Sequence, residues 1–361
     1  MQKGGRNSFF PILKISIKEV EEMPCKLINA DMVKELLTMK DTVAACEEAF
    51  DGWGRGEVIC PTKITLELGE DAEWPPYKNG LNAMPAYIHS KKSAGIKCVG
   101  GSLNNPSWGL PYIIALILLF DPETGIFRCI VDGEQITNYR TGAQSAVAAK
   151  YLSGKKKIKM GIYGAGAQGR TQLMAFAEVF DIEKVFIYDI NPEAVTKYID
   201  EMSKVVKTEI CAAGSAEDVP KEADIIVSVT HGRDKFIKNS WIKPGQIVFP
   251  MGSFTECEDE LLLSADRVFV DSVGQTMHRG ALKSVVDKGK FKQEMITGTI
   301  GEVVSGKIDG RIRDNEKIVC IPIGTGAMDV AVATAIFEKA TKLDMFDQYV
   351  FNKDVEVEPK R

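Results

Sequence analysis

The stretch MGIYGAGAQGRTQ, Met160 to Gln172, decides the fold. An apolar run ends in Gly164, and Gly166 and Gly169 complete a G-x-G-x-x-G spacing. That spacing alone is a weak signal, because glycine-rich turns are common. Its surroundings make it specific. KIKMGIY (157–163) reads as a strand, Gln168 to Val179 as a helix, and KVFIYDI (184–190) as a second strand. In such a βαβ unit the first glycine permits the tight turn and the second lets backbone approach a pyrophosphate. The third lets helix and strand pack closely, and the helix N-terminus offers free N–H groups to phosphates. Gly164, Ala165, Gly166, Ala167, Gln168 and Gly169 are therefore the candidate dinucleotide loop. Asp189 closes the second strand about twenty residues beyond the loop, where a carboxylate accepts from ribose hydroxyls and repels a 2′-phosphate. Ile190 and Asn191 follow it, with no arginine to suit the phosphate form, so NAD(H) is the expected cofactor.

Working outward, strands and helices keep alternating. DIIVSVT (224–230), QIVFPMG (246–252) and DRVFVDS (266–272) are further strands, and the alternation predicts a parallel sheet. The N-terminal part reads differently. KITLEL (63–68), AMPAYIH (83–89), GIKCVGG (95–101), YIIALILLF (112–120) and IFRCIV (126–131) are strands without intervening helices, and DPETG (121–125) is a hairpin turn signal. A helix at 134–152 leads into the parallel part, and an alanine-rich helix ends the tail. The expected class is α/β: a Rossmann-type doubly wound parallel sheet plus a second, strand-rich α+β substrate and dimerisation domain. The expected boundaries are an N-terminal extension at 1–26, the substrate domain at 27–145 and 325–361, and the NAD-binding domain at 146–324.

Bulk properties narrow the partners. A net charge of −5, without a basic stripe, does not suit nucleic acid. The eight cysteines are scattered without a C-x-x-C, and the three histidines are far apart, so no metal site is expected. Cysteines within apolar runs read as buried free thiols of a reducing cytosol. The longest apolar run, Tyr112 to Phe120, is too short to span a bilayer. A soluble cytoplasmic protein acting on a small molecule is the expectation.

Three cations stand out in the strand-rich part. Lys97 interrupts GIKCVGG, Lys63 opens KITLEL with Ile64, Leu66 and Leu68 on the opposite face, and Arg140 sits in the helix before the parallel sheet. Periodicity alone makes each of them an exposed charge on a half-buried element. Here the chain resembles the ornithine cyclodeaminase/mu-crystallin family, in order, through LLTMKDTVAACEEAF, MPAYI, GIKCVGG, ITNYRTGAQSAVAAKYL, GAGAQGRTQL, VFIYDINP and GTGAMD. The resemblance implies a homodimer formed through the strand-rich domain, with the C-terminal helix returning to it. It implies that Lys97 and Arg140 belong to the substrate-carboxylate site, with Lys63 where relatives carry an arginine. Met84 and Tyr112 are placed with the substrate set, and Lys97 is the expected catalytic group. Thr141 and Thr230 fall where the family approaches the nicotinamide half of the cofactor, and Met251 and Gly252 are placed with that cofactor set.

The departures bear on the reaction. Cyclodeaminases of this family carry an aspartate just after a V-G-G strand end; this chain has Phe254 there, with Glu256 and Glu258 shifted in register. Pro322 replaces a usual serine. The favoured reading is an NAD(H)-dependent oxidoreductase that reduces an imine of a 2-oxo acid or a cyclic ketimine, or runs in reverse. Imine reduction needs a cation cradle and a proton source rather than a base placed for ring closure. Ornithine cyclodeaminase, which returns its hydride to the same substrate, is the alternative. A non-catalytic NAD(P)H-binding protein is the third reading.

Overall fold

The computed structural model describes residues 24–69, 77, 79–102, 104–232, 234–252 and 255–351. Phe254, most of the expected N-terminal extension and most of residues 69–80 lie outside the described residues.

One sheet gathers β1 (Cys25–Ile28), β2 (Val58–Ile59), β3 (Ile64–Leu68), β4 (Asn79–Ile88), β5 (Ser93–Gly101), β6 (Ile113–Phe120) and β7 (Phe127–Asp132). The other holds β8 (Lys157–Tyr163), β9 (Asp181–Tyr188), β10 (Glu209–Ala212), β11 (Ile225–Ser228), β12 (Ile247–Pro250), β13 (Arg267–Val270), β14 (Gly298–Thr299) and β15 (Ile318–Ile321). The last strand, β16 (Asp347–Tyr349), returns to pair with β1 at the edge of the first sheet.

The second sheet runs β10-β9-β8-β11-β12-β15-β13-β14, and its pairs are all parallel. The strand order reverses beside β8, which is the Rossmann switch point. The first sheet runs β16-β1-β7-β6-β5-β4-β2, with β3 also on β4, and is antiparallel except for β1 on β7. The α/β architecture expected from the alternation is thus present. The first strand crosses the expected 26/27 boundary.

Two helices join the sheets. Glu134–Ser153 has little amphipathic bias, and alanines 143, 146, 148 and 149 are buried, because it is packed on several sides. Its Gly142 lies so close to the glycine-loop helix that a Cβ there would sit 2.3 Å from the Thr171 carbonyl oxygen. Gly326–Leu343 lies over β4 and β5 of the first sheet. A Cβ on Gly326 would sit 2.5 Å from the Met84 carbonyl oxygen, so this helix start is locked against β4. No described helix is long and apolar enough to cross a membrane.

The strand β3 reverses a simple amphipathic reading. Its apolar residues face out: Ile64 is 71% and Leu66 55% exposed. Thr65 lies on the other side and bonds Asn82 of β4 at 2.7 Å. Lys63, two residues before Thr65, stands half-buried on that polar, inward side.

Candidate functional site

The glycine loop has the shape its chemistry needs. Gly164 takes φ +104°, in the left-handed region, as it leaves β8. A Cβ on Gly169 would collide with the Gly164 carbonyl oxygen at 2.1 Å, so the turn closes only with glycine there. A Cβ on Gly166 would meet nothing within 4 Å among the described residues. Gly166 is the N-cap of the helix Ala167–Val179 and lends it no side-chain cap, so the first N–H groups face that open side. Asp189 lies just past β9; its carboxylate accepts from Ala165 N at 2.8 Å and Asn191 N at 2.9 Å. An open glycine, uncapped amides and a strand-end carboxylate fit a dinucleotide. Gln168 donates to Asn138 on the helix Glu134–Ser153 at 2.9 Å, and Gln172 donates to the Thr141 carbonyl at 3.2 Å. The loop helix is thereby fastened to the helix that carries Arg140.

The ends of β11 and β12 are tied by a carboxylate whose orientation the sequence left open. Glu256 turns inward and is fully buried. It accepts from Ser228 Oγ at 2.7 Å, from Thr230 N at 3.1 Å and hydroxyl, and from Gly252 N at 3.0 Å. Burial raises its pKa, and the Thr230 and Ser228 hydroxyls work against that rise. A Cβ on Gly252 would come within 2.6 Å of this carboxylate. Glu258 instead accepts from Asn239 N at 2.9 Å, on a separate turn. Met251 receives the Ser145 hydroxyl on its sulfur at 3.7 Å, and Thr141 donates to the Thr137 carbonyl at 2.7 Å. Thr141, Thr230, Met251 and Gly252 therefore come from the Arg140 helix and from the carboxyl ends of β11 and β12, the side on which open parallel sheets bind ligands.

Lys97 and Arg140 meet on one acid. Lys97 Nζ and Arg140 Nε each donate to Asp329 Oδ1 at 2.8 Å, and Lys97 also reaches Thr137 Oγ1 at 3.3 Å. Lys97 is 1% and Asp329 0% exposed. Burial pushes the Lys97 ammonium down to about 7, with repulsion from Arg140 next, while the Asp329 carboxylate pulls it back up. Asp329 Oδ2 is buried without a hydrogen-bond partner among the described residues. The Arg140 guanidinium lies against Gly324, whose φ of +92° follows the end of β15. Met84 is buried directly across the ladder from Lys97.

Lys63 joins this electrostatic group. Burial, and then Arg279, lower its pKa to about 8, while Asp271 and Asp329 oppose the fall. Asp271 is buried just past β13, accepts from Gly324 N at 2.6 Å, and leaves Oδ1 without a hydrogen-bond partner among the described residues. Burial raises its pKa. Arg279 donates to Thr65 Oγ1, so it reaches from the parallel sheet to β3. Tyr112 is partly exposed, with its ring edge-on to His231 at 5.1 Å, past the end of β11. Pro322 supplies a carbonyl to Gln144 Nε2 at 3.2 Å.

Asp329, Asp271 and Arg279 escaped the sequence reading. A carboxylate interrupting the apolar run GAMDVAVATAI was a signal for Asp329, because a charge there is either exposed or paired. Asp271, at the carboxyl end of a parallel strand, was a weaker one. Nothing marked Arg279.

A family model for the ornithine cyclodeaminase/mu-crystallin family matches residues 25–344. Alanine dehydrogenase from Archaeoglobus fulgidus is 33% identical over 321 residues, 88% of this chain and 96% of that protein. The structure of Thermococcus litoralis delta(1)-pyrroline-2-carboxylate reductase in complex with NADH and L-proline matches with a TM-score of 0.84 at 30% identity, covering 89% of this chain and 99% of that one. An archaeal alanine dehydrogenase dimer with bound NAD matches with a TM-score of 0.85 at 32% identity, covering 91% and 100%.

Proposed function

The chain belongs to the ornithine cyclodeaminase/mu-crystallin family, and from that premise we propose that it is an NAD(H)-dependent oxidoreductase acting on the C–N bond of an amino or imino acid. One observation carries this reading: Lys97 and Arg140 are buried on a single acid, at the carboxyl edge of a parallel sheet whose switch-point loop fits a dinucleotide. The alanine dehydrogenase and pyrroline-2-carboxylate reductase relatives support it, both acting at a C–N bond.

Gly164 to Gly169 and Asp189 would hold the cofactor, with Thr141, Thr230, Met251 and Gly252 toward its reactive end. When bound, NAD(H) supplies or accepts the hydride. The protein's own side chains do the rest. Arg140, its Nε held by Asp329, presents its terminal nitrogens to the substrate carboxylate, and Lys63 adds a cation from the opposite wall. Lys97 is the catalytic residue: with a pKa near 7 it gives a proton to the nitrogen in reduction and takes one in oxidation. Asp329 is a positioning residue for both cations.

The division at 27–145 plus 325–361 and 146–324 follows this reading, with the first sheet and its closing helix as substrate body. A homodimer through the outer face of the first sheet fits two cross-strand rows. Leu66, Leu81, Gly100 and Ile114 face one another in register, as do Ile64, Ala83, Cys98 and Leu116. The large side chains of both rows are exposed. The eight cysteines are all unpaired, which suits the cytoplasm.

The test is absorbance at 340 nm with NADH and a panel of 2-oxo acids with ammonia or methylamine, plus pyrroline- and piperideine-2-carboxylate. A parallel tube holds L-ornithine and NAD with an ammonia assay. NADH loss with an oxo acid or ketimine is expected. Ammonia and proline from ornithine, with no net change at 340 nm, would overturn the reading in favour of a cyclodeaminase.

A further inference from the structure

A buried carboxylate stands where β11 and β12 end. Glu256 follows β12, and its backbone is held from both sides. Ile237 N donates to the Glu256 carbonyl at 3.0 Å, and Glu258 N donates to the Ile237 carbonyl at 3.0 Å. Ile237 and Cys257 form a parallel bridge, and both are fully buried. This anchor in the core turns the Glu256 side chain toward the strand ends rather than toward solvent.

Its two oxygens are loaded unequally. Oε1 accepts from the Ser228 hydroxyl, the Thr230 amide and the Thr230 hydroxyl, and Oε2 accepts from the Gly252 amide. The Thr230 hydroxyl in turn accepts from Gly232 N at 3.1 Å. Each of these bonds is donated to the carboxylate, the pattern of its ionised form. Burial raises the Glu256 pKa, and the donated bonds oppose that rise. The donors are hydroxyls and amides, so they satisfy the oxygens without cancelling the charge.

The sheet order gives that charge a place relative to the cofactor. β9 lies on one side of β8, and β11 and then β12 lie on the other. Asp189, just past β9, marks the adenosine half. A dinucleotide laid across this switch point has its nicotinamide half over the ends of β11 and β12. Those are the ends that Glu256 ties together.

We propose that Glu256 is a positioning residue for Thr230 and Gly252 whose fixed negative charge stabilises the oxidised, positively charged nicotinamide, so that the protein favours bound NAD+ over bound NADH. This rests on the placement of Thr230 and Gly252 at the reactive end of the cofactor in the oxidoreductase reading. The nicotinamide ring is positive in NAD+ and neutral in NADH, so a charge on the protein acts on one redox state and not on the other. The strand ends, in contrast, are held the same way for both. Loss of the tie weakens both forms alike, while loss of the charge moves their ratio. Bound NADH becomes the readier hydride donor, which suits the reduction of an imine.

The experiment measures dissociation constants of NAD+ and NADH by calorimetry at pH 8, without substrate, for the wild type, Glu256→Gln, Glu256→Asp and Ser228→Ala. At that pH Lys97 has largely lost its proton and Asp329 offsets Arg140, so the substrate cations weigh little on the ring. The wild type is expected to hold NAD+ at least as tightly as NADH. In Glu256→Gln the NAD+ constant divided by the NADH constant is expected to rise about tenfold. Glu256→Asp keeps the charge and is expected to restore most of the wild-type ratio. Ser228→Ala loosens the cluster without removing the charge and is expected to leave the ratio within about twofold. Equal weakening of both forms in Glu256→Gln would reduce Glu256 to a structural tie and overturn its charge role. If Glu256→Gln does not fold, the wild type decides, and NADH held about tenfold more tightly than NAD+ would overturn the role as well. Either result leaves the oxidoreductase reading intact. Binding of neither form to the wild type would sink that reading and this one together.

Discussion

Asp329 Oδ1 receives Lys97 Nζ and Arg140 Nε at 2.8 Å each, so one buried oxygen sets the position of both cations. The lysine comes from β5, the arginine from the helix Glu134–Ser153 and the acid from the helix Gly326–Leu343. Asp329→Asn leaves two buried cations without their counter-charge. The expected cost is about 3–5 kcal/mol of folding stability, since an acid removed from a buried pair strands its partners. Thermal unfolding measures that loss. The expected drop in kcat/KM is about 100-fold or more, because the Arg140 fork loses its orientation. A variant with wild-type stability and activity would show that the triad is incidental.

The proton role proposed for Lys97 predicts opposite pH limbs in the two directions. The ammonium is the acid in reduction and is lost as pH rises through about 7, so reductive kcat/KM falls above that point. The amine is the base in oxidation, so the oxidative rate rises through the same range. Asp329 raises the Lys97 pKa, so any activity left in Asp329→Asn has its limb at lower pH. Lys97→Met is expected to cost about 10²–10⁴-fold and to erase the limb. Matching limbs in both directions would count against a proton on this nitrogen.

Two glycines separate folding from cofactor binding. Gly166 has φ −82° and open space where a Cβ would stand. Gly166→Val should fold with an unchanged melting temperature and lose NADH affinity by about tenfold or more, as its side chain enters the pyrophosphate path. Gly169→Ala puts a Cβ 2.1 Å from the Gly164 carbonyl oxygen and should lower the melting temperature first. Fluorescence titration with NADH, alongside thermal unfolding, separates the two. Equal NADH affinity in Gly166→Val and wild type would remove the cofactor from this loop.

Asp189 is expected to set the choice between the two nicotinamide cofactors. Its oxygens are held by Ala165 N and Asn191 N, with the carboxylate just past the end of β9. Asp189→Ala removes the acceptor for the ribose hydroxyls and the charge that repels a 2′-phosphate. Weaker NADH binding and a NADPH-to-NADH ratio raised by about tenfold or more are expected. A preference for NADPH in the wild type would contradict the role.

What the sequence revealed follows from how local each signal is. The glycine loop, its flanking strands and Asp189 lie within one βαβ unit, where chemistry and periodicity agree over about thirty residues. Lys97 was conspicuous because a charge in GIKCVGG has no local reason. Asp329 meets Lys97 only through the return of the final helix onto β5, a contact spanning more than half the chain. Arg279 carries no local mark; its bond to Thr65 depends on two sheets meeting. Burial of Glu256 likewise depends on β11 and β12 ending side by side. The strand KITLEL misleads by its own pattern, since alternation separates two faces without saying which one the body covers.

The outward face of the first sheet is expected to be a dimer interface. Leu66, Leu81 and Ile114 align across four strands with Gly100 between them, and Ile64 and Leu116 lie in the adjacent row. Ile64 and Leu66 are more than half exposed, a poor arrangement for an isolated chain in water. A second copy laid against the face would cover it, and a stable dimer needs about 800 Å² per partner. Leu66→Glu with Leu116→Lys places charges in both rows without touching the inward side that carries Thr65 and Lys97. Sedimentation should show a dimer for the wild type and a monomer for the double variant, with the monomer keeping its circular dichroism. A double variant that still sediments as a dimer would put the interface elsewhere on the molecule.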